Sequence, residues 1–247
     1  MKLSASATTA TMKILSLDST SRYSSVALTE DGKILGHTFL DSGNTHSETL
    51  LPAIIDLLQF NHLHSDDIDL FACSAGPGSF TGVRIGVSIL KGLCSGKGKP
   101  CVGVSTLEAL AENLPFEDAI LCPVMDARRN QVYTALFLRE NGTLTRLTPD
   151  DLITLDVLCE KLKTYNKKIY LCGDGYHLAK SRMDIPTEDT PELLIAQNAV
   201  SVAKVAIRTF AANPDKDFSE GKLQPIYLRA SQAERERLEK EKNQNNQ

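Results

Sequence analysis

Ser74-Ala-Gly-Pro-Gly-Ser-Phe-Thr-Gly-Val-Arg-Ile-Gly86 decides the fold, because it stands where a predicted buried strand over 68–74 ends and a predicted helix over 82–94 begins. Glycines in such a turn let backbone amides point at one spot, and the helix dipole adds partial positive charge there. The geometry suits a phosphate or another anion. The alternative is that the glycines only allow a tight turn and close helix packing, and glycine spacing alone favours this alternative.

The glycine spacing does not match the common nucleotide-binding loops. A Walker loop ends in Gly-Lys-Ser/Thr, which is missing here. The spacing Gly76-x-Gly78-x-x-x-Gly82 is one residue longer than the dinucleotide fingerprint. The glycine spacing alone is therefore not diagnostic, whereas the complete thirteen-residue string is far more specific.

The segments around this stretch predict a mixed sheet with helical cover. Strands over 13–18, 24–29 and 34–40 form an antiparallel meander, whose Asp31-Gly32 turn gives the backbone freedom for a tight reversal. Thr45-His46-Ser47-Glu48 fits a capping box at the start of a helix over 46–60, which Pro52 should bend. A strand over 100–104 and a helix over 106–112 follow.

The second half repeats this pattern less clearly. Strands are predicted over 119–125, 131–138 and 168–172, and helices over 156–165 and 197–212. The chain is therefore predicted to be an α/β protein of two lobes, each a mixed sheet of an antiparallel meander and parallel strands with flanking helices. The predicted divisions are a disordered extension over 1–11, a first lobe over 12–107, a second, degenerate lobe over 108–230 and a polar tail over 231–247.

Composition limits the classes of function. With 42% apolar and 23% charged residues, the 247-residue chain is typical of a globular protein, and no run approaches a membrane span. The net charge of −4 offers no basic stripe for holding nucleic acid unaided. The first eleven residues lack the apolar stretch of a secretory signal, and the scattered cysteines predict reduced core thiols in a cytoplasmic protein.

Several strings together resemble one protein family. The thirteen-residue stretch, read with Ile14-Leu-Ser-Leu-Asp-Ser-Thr20, is similar to the TsaB family, also called YeaZ, of the actin-like ATPase and sugar-kinase superfamily. Met125-Asp-Ala-Arg-Arg-Asn-Gln-Val-Tyr133, Gly173-Asp-Gly175 and Pro225-Ile-Tyr-Leu-Arg229 resemble further segments of that family. The likeness spans residues 12 to about 229 and implies actin-like or sugar-kinase-like lobes.

The resemblance implies a non-catalytic scaffold and dimerisation subunit rather than an enzyme. Members of the family pair with the catalytic subunit TsaD, and with the ATPase TsaE, to form threonylcarbamoyladenosine next to the anticodon of tRNA. They also self-associate. The tRNA is expected to be contacted only indirectly through the complex, and no membrane partner is expected. The alternatives are a self-sufficient ATPase or small-molecule kinase of the same superfamily and, less favoured, a metallopeptidase.

The superfamily comparison also implies a nucleotide site. Sugar kinases and actin-like proteins place a first phosphate loop where this chain has Asp18, Ser19 and Thr20, so ATP or ADP is a candidate cofactor at the cleft or near the partner interface. The candidate anion-binding set adds Gly76, Gly78 and Ser79. The alternative is that Asp18 caps the strand end and bonds nearby amides. No acid, base or nucleophile set can be assembled, so no catalytic residue is predicted.

A metal site is not predicted. Relatives of the TsaD type hold a metal with a His-x-Glu-Gly-His helix motif, because two imidazoles four residues apart share one helix face. The corresponding stretch here is His46-Ser-Glu-Thr-Leu50, in which leucine replaces the second ligand. His62 and His64 follow in a polar loop and are expected to be solvated.

The two helices of the first lobe are predicted to meet a partner. Apolar residues cover more of the helix over 46–60 than the usual single stripe, and Gly82 and Gly86 would let another helix approach the second one closely. The hypothesised interface consists of Leu50, Ile54, Leu57, Gly82, Val83, Gly86, Val87 and Leu90. The alternative is a helix pair buried within one chain.

Asp126, Arg128, Arg129 and Tyr133 follow or flank a predicted strand end. They can form an ion pair that ties the lobes together, or offer cations to a nucleotide or tRNA phosphate. The structural role is the favoured interpretation, because exposed arginines usually have ordinary surface roles.

Overall fold

The computed structural model describes residues 11–229. Apart from Thr11, the predicted extension over 1–11 lies outside the described residues. The predicted polar tail over 231–247 lies wholly outside them.

The first lobe is built on a five-stranded sheet with the order β3-β2-β1-β4-β5. An antiparallel meander supplies β1 to β3, and β4 and β5 run parallel to β1. The strands are β1 (Lys13–Asp18), β2 (Ser24–Glu30), β3 (Lys33–Leu40), β4 (Leu70–Gly76) and β5 (Cys101–Ser105). β4 is buried throughout, as expected of a parallel strand covered on both faces.

Helices α1 (His46–Phe60) and α2 (Phe80–Cys94) cover one face of this sheet. The capping box predicted at Thr45 and Glu48 is present, and α1 continues through Pro52 to the predicted end. α2 begins two residues earlier than predicted, because the Ser79 hydroxyl accepts the amide of Gly82 and so caps the helix. Leu15 and Leu17 of β1 point into this core.

The opposite face of the sheet is covered by α7 (Ala199–Ala212), with α3 (Thr106–Glu112) beside it. Ile14 of β1 packs on α7, and the hydroxyl of Ser16 donates to the carbonyl of Ala199 at 2.7 Å. The helix predicted over 197–212 falls within the second lobe predicted over 108–230. In the structure its apolar stripe packs on the first sheet. The chain therefore returns to the first lobe after completing the second.

The second lobe repeats the meander. β6 (Ala119–Asp126) pairs antiparallel with β7 (Gln131–Thr134) and β8 (Phe137–Glu140) in one continuous register. The strand predicted over 131–138 is therefore real but interrupted at Ala135 and Leu136. The next strand is also split, into β9 (Thr143–Arg146) and β10 (Asp151–Thr154), and β11 (Lys168–Cys172) runs parallel to β6 on its other side.

Helices cover both faces of the second sheet. α4 (Leu155–Leu162) and α5 (Tyr176–Arg182) pack on Ile120, Cys122 and Val124, whereas α3 packs on the alternate residues of β6. A short helix, α6 (Glu192–Ile195), precedes α7. The α/β fold with two mixed sheets and flanking helices is as predicted. The strands β9 and β10 and the helices α5 and α6 were not predicted, because each is too short to show a clear period.

An ion-pair network joins the lobes through α3. Arg146 of β9 binds Glu108 of α3 at 3.0 Å, and Arg208 of α7 binds Glu112 at 2.8 Å. Arg139 of β8 also approaches Glu112, at 3.6 Å, and both of these side chains are only 10% exposed. Poorly solvated pairs of this kind hold their partners in place, because removal of one charge leaves the other buried and unpaired.

Within residues 11–229, every helix falls short of the length and apolar character needed to cross a bilayer.

The close approach of α2 to the β1–β2 loop generates a prediction. A Cβ atom at Gly82 would collide with the backbone oxygen of Ser19, whereas a Cβ atom at Gly92 of the same helix would meet open space. We expect Gly82→Ala to destabilise the protein by roughly 1–3 kcal/mol or more through overpacking. Gly92→Ala should stabilise it by up to about 1 kcal/mol through helix propensity. Urea unfolding of both variants checks this, and equal stabilities would contradict it.

Candidate functional site

A cleft of about 1070 Å³ lies between the two lobes. Its first wall comes from the loops after β1 and β4 and the first turn of α2, and its second wall comes from the loops after β6 and β11. Residues 226–229 complete the lining. Because the carboxyl ends of the central parallel strands of both lobes point into this cleft, it is the natural place for a functional site.

Asp18, at the end of β1, lies behind the first wall rather than on it. The residue is 1% exposed, and its Oδ1 accepts the amide and the hydroxyl of Thr20, both at 2.8 Å. Burial raises the pKa of the Asp18 carboxyl above its ordinary value, although the hydrogen bonds oppose the shift. The carboxylate therefore does what the capping alternative anticipated and bonds nearby amides.

The glycine-rich loop also uses its donors within the chain. The amide of Ser79 donates to the carbonyl of Thr20 at 2.7 Å, and the amide of Val83 donates to the carbonyl of Ser79 at 2.8 Å. Gly76 has a φ of 119°, and a Cβ atom there would collide with the carbonyl of Ile226. That Ser19, Gly76, Gly78 and Ser79 bind an anion remains a prediction, and the geometry gives the loop a structural task as well.

In the second wall, too, backbone amides donate to acceptors within the chain. The amide of Arg128 donates to Oδ1 of Asp126 at 2.7 Å, and the amide of Asp126 donates to Oδ1 of Asp174 at 3.2 Å. The amide of Ala127 donates to the carbonyl of Gln131 at 3.0 Å. The two carboxylates therefore organise the loops that carry them.

The turn between β6 and β7 has unusual backbone geometry. Arg128, Arg129 and Asn130, which we call the arginine turn, have φ values of 63°, 56° and 58°. Residues with a Cβ atom rarely adopt positive φ, and each instance costs on the order of 1–2 kcal/mol. Three in succession are therefore strongly held by their surroundings, and such strain occurs mostly at functional sites.

The C-terminal part of the described chain crosses the cleft as a strap, which we define as residues 223–229. Leu223 is buried in the first-lobe core, and the amide of Ile226 donates to the carbonyl of Ala75 at 2.6 Å. At its far end Arg229 donates to the carbonyl of Ala127 and to Oε1 of Gln131, both at 2.5 Å. The strap thus ties the two lobes together and clamps the base of the arginine turn.

An aromatic and guanidinium stack stands on the first wall. The ring of Tyr227 in the strap stacks on Phe80 with centroids 4.7 Å apart. The guanidinium of Arg84 lies 3.9 Å from the centroid of Phe80 and donates to the hydroxyl of Tyr227 at 2.9 Å. This contact could not be predicted from the sequence, because it joins α2 to residues far along the chain, and the family-like string 225–229 is its only signal there.

The residues proposed for the partner interface lie inside the first lobe. Leu50, Ile54, Leu57, Val83, Val87 and Leu90 are at most 6% exposed. They pack on the sheet, and Gly82 and Gly86 face Ser19 and Leu17 rather than another chain. This corrects the choice of residues: the periodicity located the apolar face, but the chain's own sheet covers it. The apolar side chains left on the outside include Leu51, Ile55 and Phe60 of α1, with the half-buried Ile85 and Ile89 of α2.

The histidines that could act as metal ligands lie at the start of α1 and directly after its end. Nε2 of His46 lies 2.7 Å from the carbonyl of Ser21, and His62 and His64 are exposed. Within the part of the chain that the structure describes, no three His, Cys, Asp or Glu side chains converge on one point. His46 therefore joins the start of α1 to the β1–β2 loop.

Comparisons with known proteins agree with one another. A family model described as "TsaD: tRNA N6-adenosine threonylcarbamoyltransferase" matches residues 40–247. The chain is 33% identical to the tRNA threonylcarbamoyladenosine biosynthesis protein TsaB of Bacillus subtilis, over 70% of this chain and 76% of the relative. It is 31% identical to the Escherichia coli protein of the same name, over 88% and 95%. The structure of YeaZ from Pseudomonas aeruginosa shares the fold, with a TM-score of 0.74 and 23% identity over 88% of this chain and 100% of that chain.

The environment of Asp174 generates a prediction about pH. Desolvation by the surrounding loops, assisted by the nearby Asp126 carboxylate, raises the pKa of the Asp174 carboxyl to about 6, but the residue is exposed to the cleft, so solvent screening keeps the effect on stability small. In the unfolded chain its pKa is about 3.9, so ionised Asp174 destabilises the folded state fully above about pH 6 and not at all below about pH 4. We expect Asp174→Asn to melt at a higher temperature than wild type at neutral pH. The difference should shrink as the pH falls through this window, and thermal melts that differ equally at every pH would contradict it.

Proposed function

Because the chain belongs to the TsaB (YeaZ) family, we propose that it is a non-catalytic scaffold and dimerisation subunit that binds and supports a TsaD-type transferase. Family membership gives the chain a role in the biosynthesis of threonylcarbamoyladenosine in tRNA. The proposal is that the transfer to the adenosine next to the anticodon takes place on the TsaD-type partner.

The observation that carries the proposal is that amides of the cleft loops donate to acceptors within the chain. A nucleotide-hydrolysing or kinase site needs backbone donors and a carboxylate that face the phosphates. Here the amides of Thr20, Ser79 and Arg128 already donate to the chain's own oxygens, and Asp18 is enclosed. This arrangement favours a supporting role over a self-sufficient ATPase or kinase.

The proposed complex contains further members. A TsaE-type ATPase would join the pair, and a second copy of this chain would compete for the same helices as the TsaD-type subunit. ATP or ADP would bind at or near the partner interface. The tRNA would be reached through the complex, and we place this activity in the cytoplasm.

The outer face of α1 and α2 is the surface that we assign to the partner. Leu51 and Ile55 are 43% and 45% exposed, which is high for large apolar side chains on one helix. They are spaced by four residues and therefore lie on one side of α1. Ile85 and Ile89 repeat that spacing on α2, which contacts α1. An apolar ridge on neighbouring helices suits packing against two helices of a similarly built subunit.

This surface generates a prediction. We expect Leu51→Glu/Ile89→Glu to weaken binding of the TsaD-type subunit by roughly 100-fold or more, because burial of unpaired charges opposes association. Titration by isothermal calorimetry measures the loss, and the level of threonylcarbamoyladenosine in cells should fall with it. The matched control is Val157→Glu/Leu193→Glu, which alters exposed apolar residues of the second lobe and should bind like wild type. If both double variants bound the TsaD-type subunit equally well, the interface would not lie on the outer face of α1 and α2.

The scaffold role has its own test. The isolated chain, free of partners, should hydrolyse ATP no faster than a buffer blank, because the cleft amides of Thr20, Ser79 and Arg128 already donate within the chain and Asp18 is enclosed. Steady-state turnover by the isolated chain that disappears in Thr20→Val would instead favour the ATPase alternative.

A further inference from the structure

The arginine turn is held in its strained conformation from several sides. Arg229 of the strap bonds to the residues that flank the turn, Ala127 and Gln131. Arg182 of α5 donates to Oδ1 of Asn130 at 2.8 Å, and the amide of Gln131 donates to the carbonyl of Arg128 at 3.1 Å. So many clamps on an exposed turn indicate that its shape matters for something outside the turn.

The turn presents guanidinium groups to solvent at the rim of the cleft. The side chain of Arg128 is 87% exposed, and its approach to Asp126, at 3.6 Å, is an exposed ion pair that contributes little. Among residues 11–229, Arg129 takes part in no ion pair or side-chain hydrogen bond. The carboxylates of Asp126 and Asp174 lie on the same wall, and both are engaged by the loop amides.

We propose that the arginine turn binds the phosphate backbone of the substrate tRNA directly, with Arg128 and Arg129 as the contacting residues. The inference rests on the proposed function, which supplies the RNA. It goes beyond that function, in which tRNA is reached only through partners. The overall charge of −4 does not oppose it, because a local cluster determines the potential at a cleft rim.

The chemistry of the turn favours RNA over other ligands. Planar guanidinium groups match phosphate oxygens in pairs, and RNA offers a row of them. A protein partner would be expected to find an apolar centre, whereas the turn consists of two arginines and an asparagine. A free nucleotide would need loop amides such as those of Thr20, Ser79 and Arg128, which already donate within the chain. Across the cleft the ring of Tyr227 is 40% exposed beside Arg84, and it offers a surface for an unstacked base.

The test uses the full chain assembled with its TsaD-type and TsaE-type partners, and an unmodified transcript of a tRNA that the wild-type complex modifies. We expect Arg128→Gln/Arg129→Gln to weaken tRNA binding about 10-fold or more, because two phosphate contacts are lost. The slope of log K against log salt should fall by about 1 for each arginine. Fluorescence anisotropy at several salt concentrations measures both.

The control removes the same charge at the opposite end of the lobe. Lys167 and Lys168 stand at the start of β11, whose other end carries the cleft loop. Their side chains are 35% and 65% exposed, and each has an acidic neighbour, as Arg128 does. Lys167→Gln/Lys168→Gln should keep the wild-type affinity within about twofold and the wild-type salt slope.

A second variant separates binding from structure. Glycine tolerates positive φ, so Arg128→Gly/Arg129→Gly should raise the melting temperature by roughly 2–4 °C per residue while tRNA binding falls. A turn whose arginines served only to tie the fold together would lose stability on either substitution. Higher stability together with weaker RNA binding is the combination expected of a strained binding element.

Three results would overturn the inference. Unchanged tRNA affinity and salt slope, in a glutamine variant whose complex still assembles and modifies tRNA, would remove the turn from the RNA surface and leave the proposed function standing. Weaker partner assembly with an unchanged salt slope would assign the turn to a protein contact. Failure of the wild-type chain to join the complex would end the proposed function, and the inference would fall with it.

Discussion

The close contact between the glycine-rich loop and the β1–β2 loop is the constraint on which the rest of the structure depends. The amide of Ser79 reaches the carbonyl of Thr20, and the absence of a side chain at Gly82 lets α2 lie against Ser19. This contact orients α2 on the first sheet and forms one wall of the cleft. It also engages the amide of Ser79 at the start of α2, so the same hydrogen bond that joins the two loops satisfies a backbone donor of the glycine-rich loop.

Features set by short-range interactions could be predicted from the sequence. The capping box fixes the start of α1, and the predicted ends of α1, α3 and β11 match the structure. The meander follows from strand alternation and the Asp31-Gly32 turn. The resemblance of several strings to one family predicted the two-lobed architecture. In each case the deciding residues lie within a few positions of one another, where local geometry leaves few alternatives.

Features that depend on distant contacts could not be predicted. Periodicity shows that α1 and α2 have wide apolar faces, but it does not say whether a sheet or a partner covers them, and so buried Leu50 and Leu90 were assigned to an interface. Likewise, the amphipathic pattern of α7 does not say which lobe it joins. The strap and the arginine turn depend on Arg229, whose partners lie 98 and 102 residues away in sequence. The string around Arg128 resembles a segment of the family, but its positive φ values can be seen only in the folded structure.

The lobes are fastened at two separated places, by the buried charges around Glu112 and by the strap that ends at Arg229. Related two-lobed architectures can work by hinge closure around a ligand, and a hinge needs one side that can open. With both sides secured, this chain is preorganised. Binding of a ligand or partner then costs little conformational entropy, and the spacing between the outer face of α1 and α2 and the arginine turn becomes a fixed length, as in a ruler.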